Sequence, residues 1–160
     1  MWKKGLSSII TMIIGAIGGY FAGGMLNKGA VERASGELEK FKDYFLFMNQ
    51  WLMLRNDGQS LKEYFEHHGY KKIAIYGFAE MGNRLYEELE DTDIEVLYAI
   101  DQNADTMYAD IQVVTLEQEL KKVDAVVITA LRSFDAIADQ IRPRLNCDLI
   151  SLEEVVYELL

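Results

Sequence analysis

The 160 residues include one cysteine, one proline and two histidines. Cys147 by itself can form neither an intrachain disulfide nor a cysteine-based metal site. Set among Leu145, Leu149 and Ile150, it reads as a small core residue. His67 and His68 are neighbours in sequence, so they do not share a helix face. No other metal-ligand pattern accompanies them, and they read as surface residues. Positive charge is also scarce: 16 Lys and Arg stand against 26 Asp and Glu, a formal net charge of -10. A nucleic-acid binder would carry a basic face, so that partner class is excluded. Catalytic sets are missing as well. There is no Tyr-x-x-x-Lys pair, no Ser/His/Asp set and no Walker A loop, so the sequence supplies no assembled catalytic centre of its own.

Charge is absent altogether from Gly5 to Asn27. Leu6 to Leu26, at about 1.5 Å per residue, matches a hydrocarbon core of roughly 30 Å. Lys3 and Lys4 flank one end, Lys28 the other, and Trp2 and Tyr20 suit the interfaces. The sequence therefore predicts an uncleaved membrane anchor over residues 1–28. Gly15, Gly19 and Gly23 recur every four residues, continuing Ser7 and Thr11. That spacing lets two helix backbones approach closely in lipid, with a second copy or a polytopic membrane protein as the partner. Charge leaves the topology open. A nucleotide-type domain is useful in the cytosol, so the expectation is a single-pass cell-membrane protein with its soluble part cytoplasmic.

Residues 29–69 are expected to be connecting amphipathic helices. Leu38, Phe41, Phe45, Met48 and Leu52 follow a 3-4 spacing along one long helix, Val31 to Asn56. Tyr44, Phe47, Trp51 and Leu54 widen its apolar face. That face can pack on the domain that follows, on a second copy or on a membrane surface. Asn56-Asp57-Gly58 ends the helix, and Ser60 can cap a short one that Gly69 stops.

Residues 70–160 carry the most information. The apolar run Ile73–Tyr76 ends in the turn Gly77-Phe78-Ala79-Glu80-Met81-Gly82. A helical pattern follows (Met81, Leu85, Leu89), then a second apolar run, Ile94–Ile100, that stops at Asp101. Strand, glycine turn, helix, strand and terminal acid is the order of a βαβ nucleotide-binding unit. Gly77 permits a tight turn, and Gly82 lets the helix sit against the sheet. The free N–H groups at the helix start attract a phosphate. Asp101, 19 positions after Gly82, suits ribose hydroxyls. Ala79 departs from G-x-G-x-x-G and puts a methyl group where backbone would meet phosphate.

Beyond Asp101 the pattern predicts a strand at 111–114, a helix from Thr115 to Lys122 and a buried strand at 124–130. A helix at 134–142, a strand at 147–151 and a final helix at 152–160 follow. The predicted fold is α/β, a single Rossmann-like parallel sheet of order 3-2-1-4-5, preceded by the transmembrane helix and the long amphipathic helix. Its ligand crevice is expected where the 77–82 turn, Asp101 and Gln102, and Thr129-Ala130 converge. Ser133 is expected to cap the helix after the fourth strand.

The segments IAIYGFAEMGNRLYEEL (73–89), YAIDQN (98–103), VVTLEQEL (113–120), VDAVVITA (123–130) and SLEEVVYEL (151–159) resemble the small Rossmann-like domain of bacterial surface-polysaccharide biosynthesis proteins. Those proteins include CapD-like nucleotide-sugar dehydratases and sialic-acid-type sugar acetyltransferases. The resemblance implies that Gly77, Phe78, Ala79, Glu80, Met81 and Gly82 cradle phosphates and that Asp101 and Gln102 meet a ribose. NAD or a nucleotide-sugar would be the ligand. The catalytic half of those enzymes has no counterpart here. The implied role is an accessory or regulatory nucleotide-binding protein of glycan assembly. The other readings are a non-catalytic subunit of a nucleotide-sugar-modifying enzyme, an NAD-sensing transporter regulator and a ligand-free scaffold. Transporter-type domains usually place Gly-Asp after the third strand, where Val113-Val114-Thr115 stands here.

Overall fold

The computed structural model describes the backbone of residues 2–160 and the side chains of residues 29–160. Its elements run α1 (Trp2–Asn56), α2 (Lys62–His68), β1 (Lys72–Tyr76), α3 (Glu80–Leu89), β2 (Glu95–Ile100), β3 (Val113–Val114), β4 (Ala125–Ile128), α4 (Phe134–Ile141), β5 (Asp148–Ser151) and α5 (Leu152–Glu158). The chain divides into two units, residues 1–46 and residues 47–160. Among the described residues no helix is long and apolar enough to cross a membrane. The expected span at 6–26 and its Gly15, Gly19, Gly23 stripe lie outside the residues whose side chains are described.

In the second unit five strands form one parallel sheet of order β3-β2-β1-β4-β5. Strand alternation divides the apolar residues between two cores. Ile73 and Ile75 of β1 join Val127 and Ile150 on one face. Leu85 and Leu89 of α3, Val155 and Val156 of α5 and Phe65 of α2 cover that face, together with Phe47, Trp51 and Leu54 from the end of α1. Ala74 and Tyr76 join Tyr98, Ile100, Val126 and Ile128 on the other face, under Ile137, Ala138 and Ile141 of α4. Strands buried on both faces explain the near-continuous apolar runs of the sequence.

The end of α1 therefore packs into the α/β core, whereas Leu38, Phe41, Phe45 and Leu52 of the 3-4 stripe are exposed. α1 stops at Asn56, and Gly58 and Gly69 take positive φ at the two helix exits.

The helix expected from Thr115 to Lys122 is absent. A single turn stands there, closed by the Gln118 amide donating to the Thr115 carbonyl at 3.2 Å and the Thr115 amide to Gln118 Oε1 at 3.0 Å. Leu116 and Leu120 pack on the α4-side core, which accounts for the helix-like spacing. The strand expected at 111–114 is reduced to Val113–Val114. Ser133 holds the N-cap position of α4, but its side chain makes no cap bond. Ser151 does cap α5, accepting from the Glu154 amide at 3.0 Å.

Candidate functional site

The turn after β1 is tightly closed. Gly77 has φ +88, and its amide donates to the Ile100 carbonyl at 2.8 Å, tying the turn to the end of β2. The Thr129 hydroxyl, at the end of β4, lies 3.1 Å from the Tyr76 carbonyl and 2.8 Å from that of Gly77. A Cβ on Gly77 would stand 2.7 Å from that hydroxyl, and one on Gly82 would stand 2.3 Å from the Gly77 carbonyl oxygen. Both glycines are therefore required by close approach, Gly77 by its φ as well.

Asp101 completes the turn. Its Oδ2 accepts from the Phe78 amide at 2.9 Å and its Oδ1 from the Asn103 amide at 2.9 Å. The carboxylate thus holds the glycine turn against the loop after β2. A carboxylate offers about four acceptor positions, so two bonds leave capacity for a ribose hydroxyl. The Phe78 side chain turns into the core against Tyr86, with ring centroids 6.0 Å apart. Phe78 therefore acts as a core residue that carries a bonded amide.

Ala79 is the extended N-cap of α3 and provides no side-chain acceptor to the helix start. A helix start leaves its first amides without intrahelical partners, so an external anion is the natural complement for Glu80, Met81 and Gly82. Ala79 and Glu80 are exposed, Met81 is half-buried and Gly82 is buried. The Glu80 carboxylate in the first turn places a negative charge beside that start.

Beside the turn lies a crevice of about 250 Å³, lined by Tyr76, Ile100, Asp101, Gln102, Thr115, Leu116, Glu117 and Gln140. It lies at the carboxyl ends of β1 and β2, where open α/β sheets hold ligands. The structure brings Asp101 and Gln102 into its wall, whereas residues 77–82, Thr129 and Ala130 are not part of its lining. Tyr76, Thr115, Glu117 and Gln140 join the wall unannounced by the motif. The Glu117 carboxyl is held below its ordinary value by its own backbone amide and then by the Thr115 hydroxyl. Two carboxylates and no cation in the wall favour hydroxyl donors over phosphate there.

A larger hollow of about 350 Å³ is lined by Met48, Trp51, Leu52, Arg55, Arg84, Glu87 and Glu88. Its Glu88 has a structural task. The Glu88 side chain is 4% exposed and pairs with Arg55 at 3.1 Å. It also accepts from Trp51 Nε1 at 2.7 Å and from the Leu61 amide at 2.8 Å. His68 belongs to a second tie, lying 2.7 Å from Glu158 and stacking on Tyr70. Among the described residues no cluster of His, Cys, Asp and Glu is arranged to hold a metal ion.

A family model described as C2185-like, N-terminal, matches residues 69–148, half of the chain. No curated protein and no solved structure matches it.

Proposed function

The chain belongs to the C2185-like, N-terminal family, and from that premise we propose that it is a membrane-anchored protein whose cytoplasmic α/β domain binds a nucleotide or nucleotide-sugar. Its role would be accessory or regulatory in bacterial surface-polysaccharide assembly. The observation that carries the reading is the crevice at the strand ends, with Asp101 and Gln102 in its wall, beside a helix start that no side chain caps. In this reading the base and ribose occupy the crevice, with ribose hydroxyls donating to Asp101 and Glu117. The diphosphate lies outside it, on the amides of Glu80, Met81 and Gly82. Small-molecule pockets typically measure about 300–1,000 Å³. A crevice of about 250 Å³ therefore suits one nucleoside better than both halves of NAD.

Thermal melting of the full chain in detergent, with and without uridine, cytidine, guanosine and adenosine diphosphates, nucleotide-sugars and NAD, tests the proposal. A ligand present a hundredfold above its Kd stabilises the domain by about 2.7 kcal/mol. At least one diphosphate nucleotide should raise the Tm, and Ala79→Gly should enlarge the shift by removing the methyl group from the path of the phosphate. If no ligand moves the melt of either wild type or Ala79→Gly, the site is vestigial and the ligand-free scaffold takes this reading's place.

A further inference from the structure

The face of α1 left open by the α/β core has a coiled-coil register. Val31, Leu38 and Phe45 fall at heptad positions a, and Ala34 and Phe41 at d. Leu52 is the next a position, whereas Met48, the next d, packs against the α/β core. Val31 is 61% exposed, Leu38 and Phe41 are each 69% and Phe45 is 63%. An apolar row of this kind along one helix marks an interaction surface.

Charge identifies the occupant. In this register Glu37 is a g position and Lys42 is the e position five residues later, both exposed. Parallel coiled coils pair g with the following e′ of the neighbour, so Glu37 meets Lys42 of a second copy twice across a two-fold axis. An antiparallel pair sets g against g′ and e against e′. The remaining g residues are Ala30, Tyr44 and Trp51, and the remaining e residues are Ser35 and Asn49, so neither charge would find its opposite. Within one chain Glu37 already bonds Lys40 at 2.9 Å, an exposed pair that can exchange for the intermolecular one at little cost.

A lipid surface is the poorer match. Helices that lie on membranes are rich in Lys and Arg on their polar face. Residues 29–46 hold three basic residues (Arg33, Lys40, Lys42) against four acidic ones (Glu32, Glu37, Glu39, Asp43), a net of -1.

We infer that residues 31–45 form a parallel, in-register coiled coil with a second copy of this chain. The pairing does not depend on what the strand-end crevice binds.

Cysteine scanning of the full chain tests this. In a Cys147→Ser background, single cysteines replace Gly36, Leu38, Lys40, Phe41 or Phe45, and each variant is mildly oxidised in detergent and in membranes. Far-ultraviolet circular dichroism selects the variants that keep wild-type helicity. Disulfide-linked dimers should form severalfold more at 38, 41 and 45 than at 36 and 40. Association should fall in Glu37→Lys and in Lys42→Glu alone and recover when the two are combined. A crosslinking profile without that period, or a charge swap that fails to recover, overturns the inference. Lipid-buried labels at 38 and 41 without crosslinks would assign the face to the membrane and overturn it too. Pairing through the anchor alone would give dimers with a flat profile over 36–45, which counts against it equally.

Discussion

Gly82→Ala is the sharpest test of how the glycine turn is built. The added methyl carbon would lie 2.3 Å from the Gly77 carbonyl oxygen, 3.2 Å from its carbon and 3.3 Å from Ile75 Cγ2. The first contact is with backbone, which cannot swing aside as a flexible side chain would. The Gly77 carbonyl is itself held by the Thr129 hydroxyl at 2.8 Å, and the Gly77 amide is bonded to Ile100. Relief therefore means moving α3 off the sheet or breaking the turn. Overpacking of this kind costs about 1–3 kcal/mol, more where the surroundings cannot relax. Alanine in a helix returns up to about 1 kcal/mol over glycine, and less in the first turn. The net expectation is a loss of about 1–2 kcal/mol, or roughly 2–8 °C in Tm for a chain of this size. Gly36 is the control: nothing lies within 4 Å of a Cβ built there. Gly36→Ala should raise the helicity of α1. Thermal and urea unfolding of the full chain, followed by circular dichroism, reads both changes. A Gly82→Ala protein that melts at or above wild type would refute the close approach of α3 to the turn.

Three further outcomes are expected, two from the structure and one from the proposed anchor. Glu88→Ala should lower the stability measured in urea by about 1–3 kcal/mol because the Trp51 and Leu61 donors lose their acceptor. Glu88→Gln should lose less, and equal stability of all three proteins would contradict the tie. Burial raises the Tyr98 hydroxyl to about 12, where it donates to the Lys121 carbonyl at 2.7 Å. The folded value lies above the unfolded one of about 10, so this contribution is complete below about pH 10 and is lost as pH rises towards 12. The urea midpoint should therefore fall across that window, and less steeply in Tyr98→Phe; identical slopes would contradict the assignment. With a C-terminal tag, the full-length chain should resist alkaline extraction from membranes and a chain lacking residues 1–28 should not. Recovery of the intact protein in the soluble fraction would remove the proposed anchor.

The sheet was legible because each strand of the βαβ unit is an apolar run with a chemical stop, Gly77 after β1 and Asp101 after β2. A parallel sheet buried on both faces leaves that signal in any sequence, and the strand order follows from the alternation of elements. The helix expected to start at Thr115 and run to Lys122 does not form, because Leu116 and Leu120 dock a loop twice on one core, at a spacing that a helix shares. Asp101 was legible as a site residue. Its bonds to the Phe78 and Asn103 amides were not, because they depend on the path of two loops. Phe78 sat inside the glycine motif, and only the fold distinguishes a core ring from a cradle residue. Glu88 resembles any solvated helix carboxylate, and its partners stand 27 and 37 residues away. The His68–Glu158 pair spans 90 residues and has no local signature.

Hydrogen exchange of the full chain, read by mass spectrometry with and without the diphosphate nucleotide or nucleotide-sugar that most raises the Tm, tests the central claim most directly. Ligand bound as proposed should slow exchange in peptides covering residues 77–82 and 101–103, where the α3 amides and the Asp101 loop meet it. The sheet core should stay unchanged. Protection confined to other segments, or none at saturating ligand, would contradict a nucleotide site at the strand ends.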